Sequence, residues 1–446
     1  MTEVQKNPLA KNFNASSLIK FAFPSIIMML FMGLYTVVDT IFVARFVNTN
    51  ALSSINIVCP IINIIVGLGT MLATGGSAIV AKKMGDKKID EARSNFTLIV
   101  ITGIVVGLVI VFVGLLFVDK IIWTLGASQL LFPYCKDYLT IQLIFAVFNI
   151  MQVLYQNLFV TAGKPTLGLI LCVAAGLANI VFDYIFIVWL QMGIKGAALG
   201  TGIGYTIPTF AGTLFFLMNK SELHFCKPKM DRVVLLKSCS NGMSEMISQL
   251  STAVTTFLFN AAMMKLLGED GVAAITVIIY AGFLLTTFYI GFSMGVAPIL
   301  SYNYGSKNIK QLKKVVHICF CFIITISIFV FLCCLMAGEN IAAIFVKNNK
   351  NVFEITKMGF TIFSFSFLFS GVNIFTSALF TAFSNGTVSA VISFLRTLGF
   401  IMILLLVLPK FLNVAGVWLA IPIAELLTFI LAIYFIWRYN KYYNYW

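Results

Sequence analysis

Charge is scarce in this 446-residue chain: Asp, Glu, Lys and Arg together make up 10% of it, with only 16 acids and two histidines. His224 and His317 lie far apart in sequence in or beside polar loops, so no histidine ligand pair is indicated. The nine cysteines are odd in number and nowhere spaced C-x-x-C, which argues against a disulfide framework and a zinc site. No G-x-x-x-x-G-K-[ST] phosphate loop occurs, which argues against ATP-driven transport by this chain alone. No polar stretch is long enough for a soluble catalytic or nucleic-acid-binding domain, so neither an enzyme nor a nucleic-acid partner is expected.

What is abundant is apolar surface, 60% of residues with a mean hydropathy of +1.00, and such a chain needs lipid as its solvent. Twelve apolar runs long enough to cross a bilayer are expected, at 18–44, 52–81, 95–118, 137–161, 167–190, 196–218, 241–265, 272–303, 315–337, 358–382, 388–408 and 414–437. The polar start leads into a long first span with no small-residue cleavage signature, so no signal peptide is read. An even number of spans puts both ends on one side. Twenty of the thirty Lys and Arg residues fall on that side, nine on the other, and Arg396 inside a span. By the positive-inside rule both ends are cytoplasmic and the chain is a multi-pass protein of the cell membrane, in contact with lipid.

The sequence repeats itself. At an offset of 220, Gly75-x-x-x-Ile79 and Gly85-x-Lys87-x-Ile89 match Gly295-x-x-x-Ile299 and Gly305-x-Lys307-x-Ile309, Thr161-Ala162 matches Thr381-Ala382, and Gly196-x-x-Leu199 matches Gly416-x-x-Leu419, with no gap. Six spans per repeat is even, so the repeats are parallel, related by an axis along the membrane normal. The expected fold is an all-α membrane protein of twelve transmembrane helices in two six-helix lobes. Its parts are a tail at 1–17, an N-lobe at 18–218, a cytoplasmic linker at 219–240, a C-lobe at 241–437 and a tail at 438–446.

Ionisable side chains inside the membrane cost at least about 2.5 to 3.5 kcal/mol each on insertion scales, so each demands a partner or a task. Asn179 and Asp183 are four apart and share one helix face, where carboxylate and amide oxygens can hold a proton or cation; Thr201 adds a hydroxyl. A helix-stapling hydrogen-bond network is the alternative reading. Arg396 and Glu425 lie near the midplane of neighbouring helices, which points to a salt bridge, structural or gating. Glu245, near the start of its helix, reads as a cap or a snorkelling side chain. Asn149, Gln152 and Gln156 form a polar stripe that faces protein or a wet cavity. Met28, Met32, Tyr155, Asn260, Tyr280 and Phe283 offer adaptable or aromatic surface for an organic cation, and equally serve as membrane filler.

Pro24 with Asp39, Gly75-Gly76-x-x-x-Val80-Ala81 to Gly85, Ala162-Gly163-Lys164-Pro165, Asn179-x-x-x-Asp183, Gly196-Ala197-Ala198-Leu199 and Gly416-Val417-Trp418 together resemble the multidrug and toxic compound extrusion (MATE) family, in its MepA-type bacterial branch. The resemblance spans nearly the whole chain. It implies V-shaped lobes around a central cleft and a secondary antiporter, without cofactor or resident metal, that exports amphipathic or cationic drugs against influx of H+ or Na+. It further implies that Asp39, Asn179, Asp183 and Thr201, with Tyr35 one turn before Asp39, form the cation-coupling site and hold any transient Na+. Met28, Met32, Gln152, Tyr155, Gln156, Asn260, Tyr280 and Phe283 are the candidates for the substrate cleft. Some members carry a glutamate about ten residues beyond the glycine that opens the seventh helix; here Gly242 leads to Thr252. A functional monomer is expected. Two other readings remain at this point: a flippase for lipid-linked sugars or peptidoglycan precursors, and a channel or non-transporting receptor.

Overall fold

The computed structural model describes residues 7–218, 222–346 and 350–446. The first six residues of the expected tail with Lys6, residues 219–221 of the expected linker with Lys220, and Lys347 lie outside them. The described residues form helices throughout, and two of the helical runs are far too long for single spans. At about 1.5 Å per residue, the 74 residues of Arg232–Gly305 would measure roughly three and a half bilayer cores of about 30 Å. The run turns back at Gly268, whose φ of 65° belongs to the left-handed region that glycine tolerates. The run ending at Tyr443 likewise turns at Asn413, with φ 48°.

With these turns counted, twelve spans result. They are α1 (Ala15–Phe46), α2 (Thr49–Gly85), α3 (Ile89–Thr124), α4 (Phe132–Ile144 and Ala146–Thr161), α5 (Pro165–Trp189), α6 (Ile194–Met218), α7 (232–267), α8 (269–305), α9 (Ile309–Val346), α10 (Lys350–Ser364 and Phe367–Ala382), α11 (386–412) and α12 (414–443). Most helices overrun the apolar windows at one or both ends. α7 starts at Arg232 within the expected linker, and α12 continues into the expected C-terminal tail to Tyr443, because polar residues that depress hydropathy still propagate a helix in the headgroup region.

The repeat is visible in the backbone. α4 and α10 are each broken near the middle, by 53° and 52°. Left-handed residues follow α2 and α8 at Lys87 and Lys307, an offset of 220, and follow α4 and α10 at Gly163 and Ser384, an offset of 221. The gapless offset of 220 is therefore corrected over α4 and the start of α5. There the capping hydrogen bonds, Lys164 N to Phe159 O and Asn385 N to Phe380 O, set the register one residue longer. By Gly193 and Asn413 the offset is 220 again.

The two halves meet backbone against backbone. A Cβ on Gly85 would stand 2.1 Å from the Tyr302 carbonyl oxygen, and one on Gly305 would stand 2.1 Å from that of Lys82. Residues 82 and 302, like 85 and 305, are 220 apart, so this is one contact made twice, as a two-fold axis requires. Gly75 against Gly242 and Gly295 against Ala22 repeat the pattern one level deeper. Lipid supplies no hydrophobic drive between helices, so such close approach of small residues is what holds them. All these contacts lie toward the face that carries both ends of the chain.

The N-terminal segment crosses this closed face. The Asn7 side chain donates to Glu222, and the Pro8 ring lies where a Gly163 side chain would be, both in the first half or its linker. Leu9 and Phe13 are buried against Phe292, Val296 and Leu312 of the second half, where Gln311 Nε2 donates to the Phe13 carbonyl at 3.1 Å. Partial burial pushes the Glu222 carboxyl up, while Asn7 and the nearby Arg93 act the other way.

The seam yields a prediction. A Gly242→Val side chain would start 1.9 Å from the Met71 carbonyl oxygen. It should force the halves apart, lengthening the distance between spin labels at positions 164 and 310 by several ångströms in pulsed dipolar spectroscopy. An unchanged distance distribution would show that the seam does not set the closed face.

Candidate functional site

In the first half, α5 and α6 approach closely because α6 presents Gly200 and Gly204. A Cβ on Gly200 would lie 2.2 Å from Asp183 Oδ1, and one on Gly204 would lie 3.2 Å from the Ala175 carbonyl oxygen. This packing carries Asn179 and Asp183 inward, where they are 3% and 0% exposed. Immediately after Asp183, the helix widens into a π-helical turn over Tyr184–Trp189, with Leu190 N donating to Ile185 O at 2.8 Å. Such turns are frequent at functional sites because they re-aim the side chains around them.

α1 brings Asp39 to the same place, its carboxyl within hydrogen-bond reach of that of Asp183. Asn179 Nδ2 donates to Thr201 Oγ1 at 3.4 Å, and Thr201 in turn donates to the Ala197 carbonyl at 3.0 Å. Tyr35 and Gln152 are within hydrogen-bond reach of each other. Tyr35, Gln152, Ala175, Asn179, Thr201, Gly204 and Tyr205 enclose a cavity of about 10 Å³, the scale of a single water-sized body.

The acceptors of this site exceed its donors. Asp39 Oδ1, Gln152 Oε1, Asn179 Oδ1 and both Asp183 oxygens are buried and find no hydrogen-bond partner among the described residues. Two carboxylates about 4 Å apart repel each other by about 4 kcal/mol at an effective dielectric constant of about 20. A proton or small cation between them removes that repulsion and satisfies the oxygens together.

The structure thus brings Tyr35, Asp39, Gln152, Asn179, Asp183 and Thr201 together. Gln152, grouped with the cleft from its place in a polar stripe, lies in this cavity. Tyr138 and Tyr205, not singled out from sequence, have hydroxyls within electrostatic reach of Asp39, and that of Tyr138 also of Asp183. Tyr205 follows directly on the Gly200-x-x-x-Gly204 spacing, a usable signal; Tyr138 precedes the α4 break and carried none.

The other candidates separate. Met28, Tyr155 and Gln156 are buried inside the first half, Tyr155 bonded to Thr213 at 2.8 Å and Gln156 contacting Met32 Sδ at 3.9 Å. Tyr280 and Phe283 of α8 are 40% and 44% exposed. Tyr280 lies within reach of Cys59 on α2, and Phe283 lies 3.4 Å from where a Gly33 side chain on α1 would be, so both face the first half across the cleft. Asn260 of α7 has a buried, unpartnered Oδ1.

In the second half Arg396 Nε donates to Glu425 Oε1 at 2.9 Å, and Asn373 Nδ2 donates to Oε2 at 2.6 Å and to the Glu425 carbonyl at 2.9 Å. Glu245 is within electrostatic reach of Arg396. A larger cavity of about 660 Å³ opens between α7 and α11, but its walls, among them Leu236, Met243, Ile247, Val391 and Phe394, bear no charge. The chemistry sits in the small cavity.

Comparison with known proteins agrees with the repeat. The MatE family model matches twice, over residues 24–185 and 245–408. The multidrug export protein MepA of Staphylococcus haemolyticus (strain JCSC1435) is 24% identical over 95% of this chain and 94% of its own length. That of Staphylococcus aureus (strain MRSA252) is 24% identical over 94% and 92%. Among solved structures, MATE in the straight conformation superposes with a TM-score of 0.92 at 19% identity, over 99% of this chain and 100% of that one. An outward-facing multidrug resistance MATE family transporter of the MOP superfamily gives 0.89 at 20% identity, over 100% and 99%.

The crowding at Gly200 supplies a test. Gly200→Ala should displace the Asp183 carboxyl and weaken monovalent-cation binding, or proton uptake, by the purified protein about tenfold, near 1.4 kcal/mol. Gly168→Ala, whose Cβ would make an ordinary 3.6 Å contact with Met28 Sδ, serves as control. Equal binding by the two variants in titration calorimetry and potentiometric titration would show that the Asp183 oxygens do not hold the ion.

Proposed function

The chain belongs to the MatE family of multidrug efflux transporters, and on that premise we propose that it is a secondary antiporter exporting amphipathic, often cationic, organic compounds in exchange for H+ or Na+. The observation that carries the reading is the cluster of buried, unpartnered oxygens of Asp39, Asp183, Asn179 and Gln152 in the first lobe, the last two lining one small cavity. On this reading these residues, with Tyr35 and Thr201, bind the coupling ion. Tyr205 completes the wall, and Tyr138 lies within electrostatic reach of both carboxyl groups. Tyr280 and Phe283 form part of the substrate's path through the cleft.

The mechanism follows from charge balance. With the ion bound, the two carboxyl groups tolerate burial and the lobe packs around them. With the ion released, their repulsion favours a conformation that admits water or a cationic substrate. Alternation between the two states couples ion influx to substrate efflux only if each ligand prefers one state. The seam at Gly75, Gly85, Gly242 and Gly305 is the contact that must open and close, with the N-lobe at 18–218 and the C-lobe at 241–437 as the moving bodies. Lys and Arg predominate on the closed face, which supports a cytoplasmic location for both termini and release of substrate to the outside. Each chain holds a complete cavity, which supports a functional monomer.

Two measurements test the proposal. Ethidium uptake into everted vesicles should proceed under a proton gradient alone or a sodium gradient alone, and failure under both would overturn antiport. Asp39→Asn and Asp183→Asn should each abolish gradient-driven uptake while leaving the amount of protein in the membrane unchanged. Wild-type rates in either variant would remove the cavity from the coupling step.

A further inference from the structure

The internal repeat allows the coupling cavity of the first half to be carried, position by position, onto the second. Over α4 and the start of α5 the register is 221, since Ala146–Thr161 and Pro165 correspond to Phe367–Ala382 and Gly386. Gln152 then corresponds to Asn373, and Ala175 to Arg396. Over α6 the register is 220, as Gly193 and Asn413 show, and Tyr205 corresponds to Glu425. Three residues lining the cavity in the first half thus map onto the three that form the ion-pair network in the second. Where the first half has the small Ala175 and room for one small body, the second has a guanidinium.

We propose that Arg396 is a tethered cation, filling in the second half the position that the exchangeable ion takes in the first, so that each chain carries one coupling site rather than two. The inference rests on the antiporter reading of the first-half cavity. It accounts for a contrast between the halves. In the first, Asp39 Oδ1 and both Asp183 oxygens find no partner among the described residues; in the second, both Glu425 oxygens are satisfied, by Arg396 and by Asn373. Arginine remains protonated at any working pH and its charge cannot leave, so Glu425 has a permanent counter-ion where Asp39 and Asp183 need a transient one. Each half also has a π-helical turn near its buried charges, Tyr184–Trp189 after Asp183 and Leu395–Gly399 around Arg396, although the two turns stand 211 residues apart and so do not occupy corresponding positions. The remaining ionisable groups facing the pair are Glu245 of α7, within reach of Arg396, and Tyr289 of α8, within reach of Glu425. Neither is hydrogen-bonded to it.

The experiment is the cation-to-substrate ratio, measured from reversal potentials with ethidium in proteoliposomes. Arg396→Gln, which leaves Glu425 without its counter-ion, should raise the ratio by one cation per substrate. Arg396→Gln with Glu425→Gln should restore the wild-type ratio, and Arg396→Lys, which keeps a tethered charge, should never leave it. An unchanged ratio in Arg396→Gln would overturn the proposal. So would loss of coupling in the double variant, which would make the pair part of the coupling machinery. Where Arg396→Gln fails to reach the membrane, the double variant decides alone: a wild-type ratio supports the proposal and uncoupled transport overturns it. Failure of the antiporter reading is distinguishable, because the wild-type protein would then show no reversal potential under either gradient.

Discussion

A carboxylate taken out of water must be met by positive charge, and the placing of three such groups organises this molecule. Asp39 and Asp183 oppose each other in the first lobe with more acceptors than donors around them. Glu425 in the second is held by a guanidinium and an amide from neighbouring helices. The first arrangement leaves oxygens without hydrogen-bond partners among the described residues, while the Glu425 carboxylate is satisfied within the chain. The two halves share a frame, yet differ in how their buried carboxylates are met.

The frame makes that difference usable. Helices in lipid gain little from hiding apolar surface against one another, so the seam between the lobes relies on backbone approaching backbone at Gly75, Gly85, Gly242 and Gly305. A seam of this kind is close-packed when shut and has no long side chains to disentangle when it opens. The N-terminal segment lies across it, with Asn7 and Pro8 on one half and Leu9 and Phe13 sunk into the other, so movement at the seam also moves that segment. The π-helical turns in α5 and α11 put irregular backbone next to Asp183 and around Arg396.

The helix count, the duplication and the family were legible in the chain because each depends on composition or spacing over long stretches: apolar runs of bilayer length, glycine and lysine recurring at 220, and motifs spread from Pro24 to Trp418. The grouping of Asn179, Asp183 and Thr201 was partly legible, since two of them lie one helical turn apart. The pairing of Arg396 with Glu425 followed from depth alone. Gln152 and Tyr155 show where such reading stops. Both lie on α4, three residues apart, and one lines the small first-half cavity while the other is a packed core residue bonded to Thr213. Hydropathy does not distinguish them.

By itself, then, the sequence determined that this is a twelve-span, internally duplicated membrane protein with very few buried charges, because lipid imposes length and polarity rules that act on each segment separately. Only the tertiary structure decided which of those charges meet. Asp39 and Asp183 are 144 residues apart, and Asn373 and Glu425 are 52 apart. Their contacts depend on helix rotation and on where small residues let neighbours approach. The one-residue change of register that sets Arg396 opposite Ala175 is likewise a matter of local hydrogen bonds, Asn385 to Phe380 and Lys164 to Phe159, that leave no trace in composition.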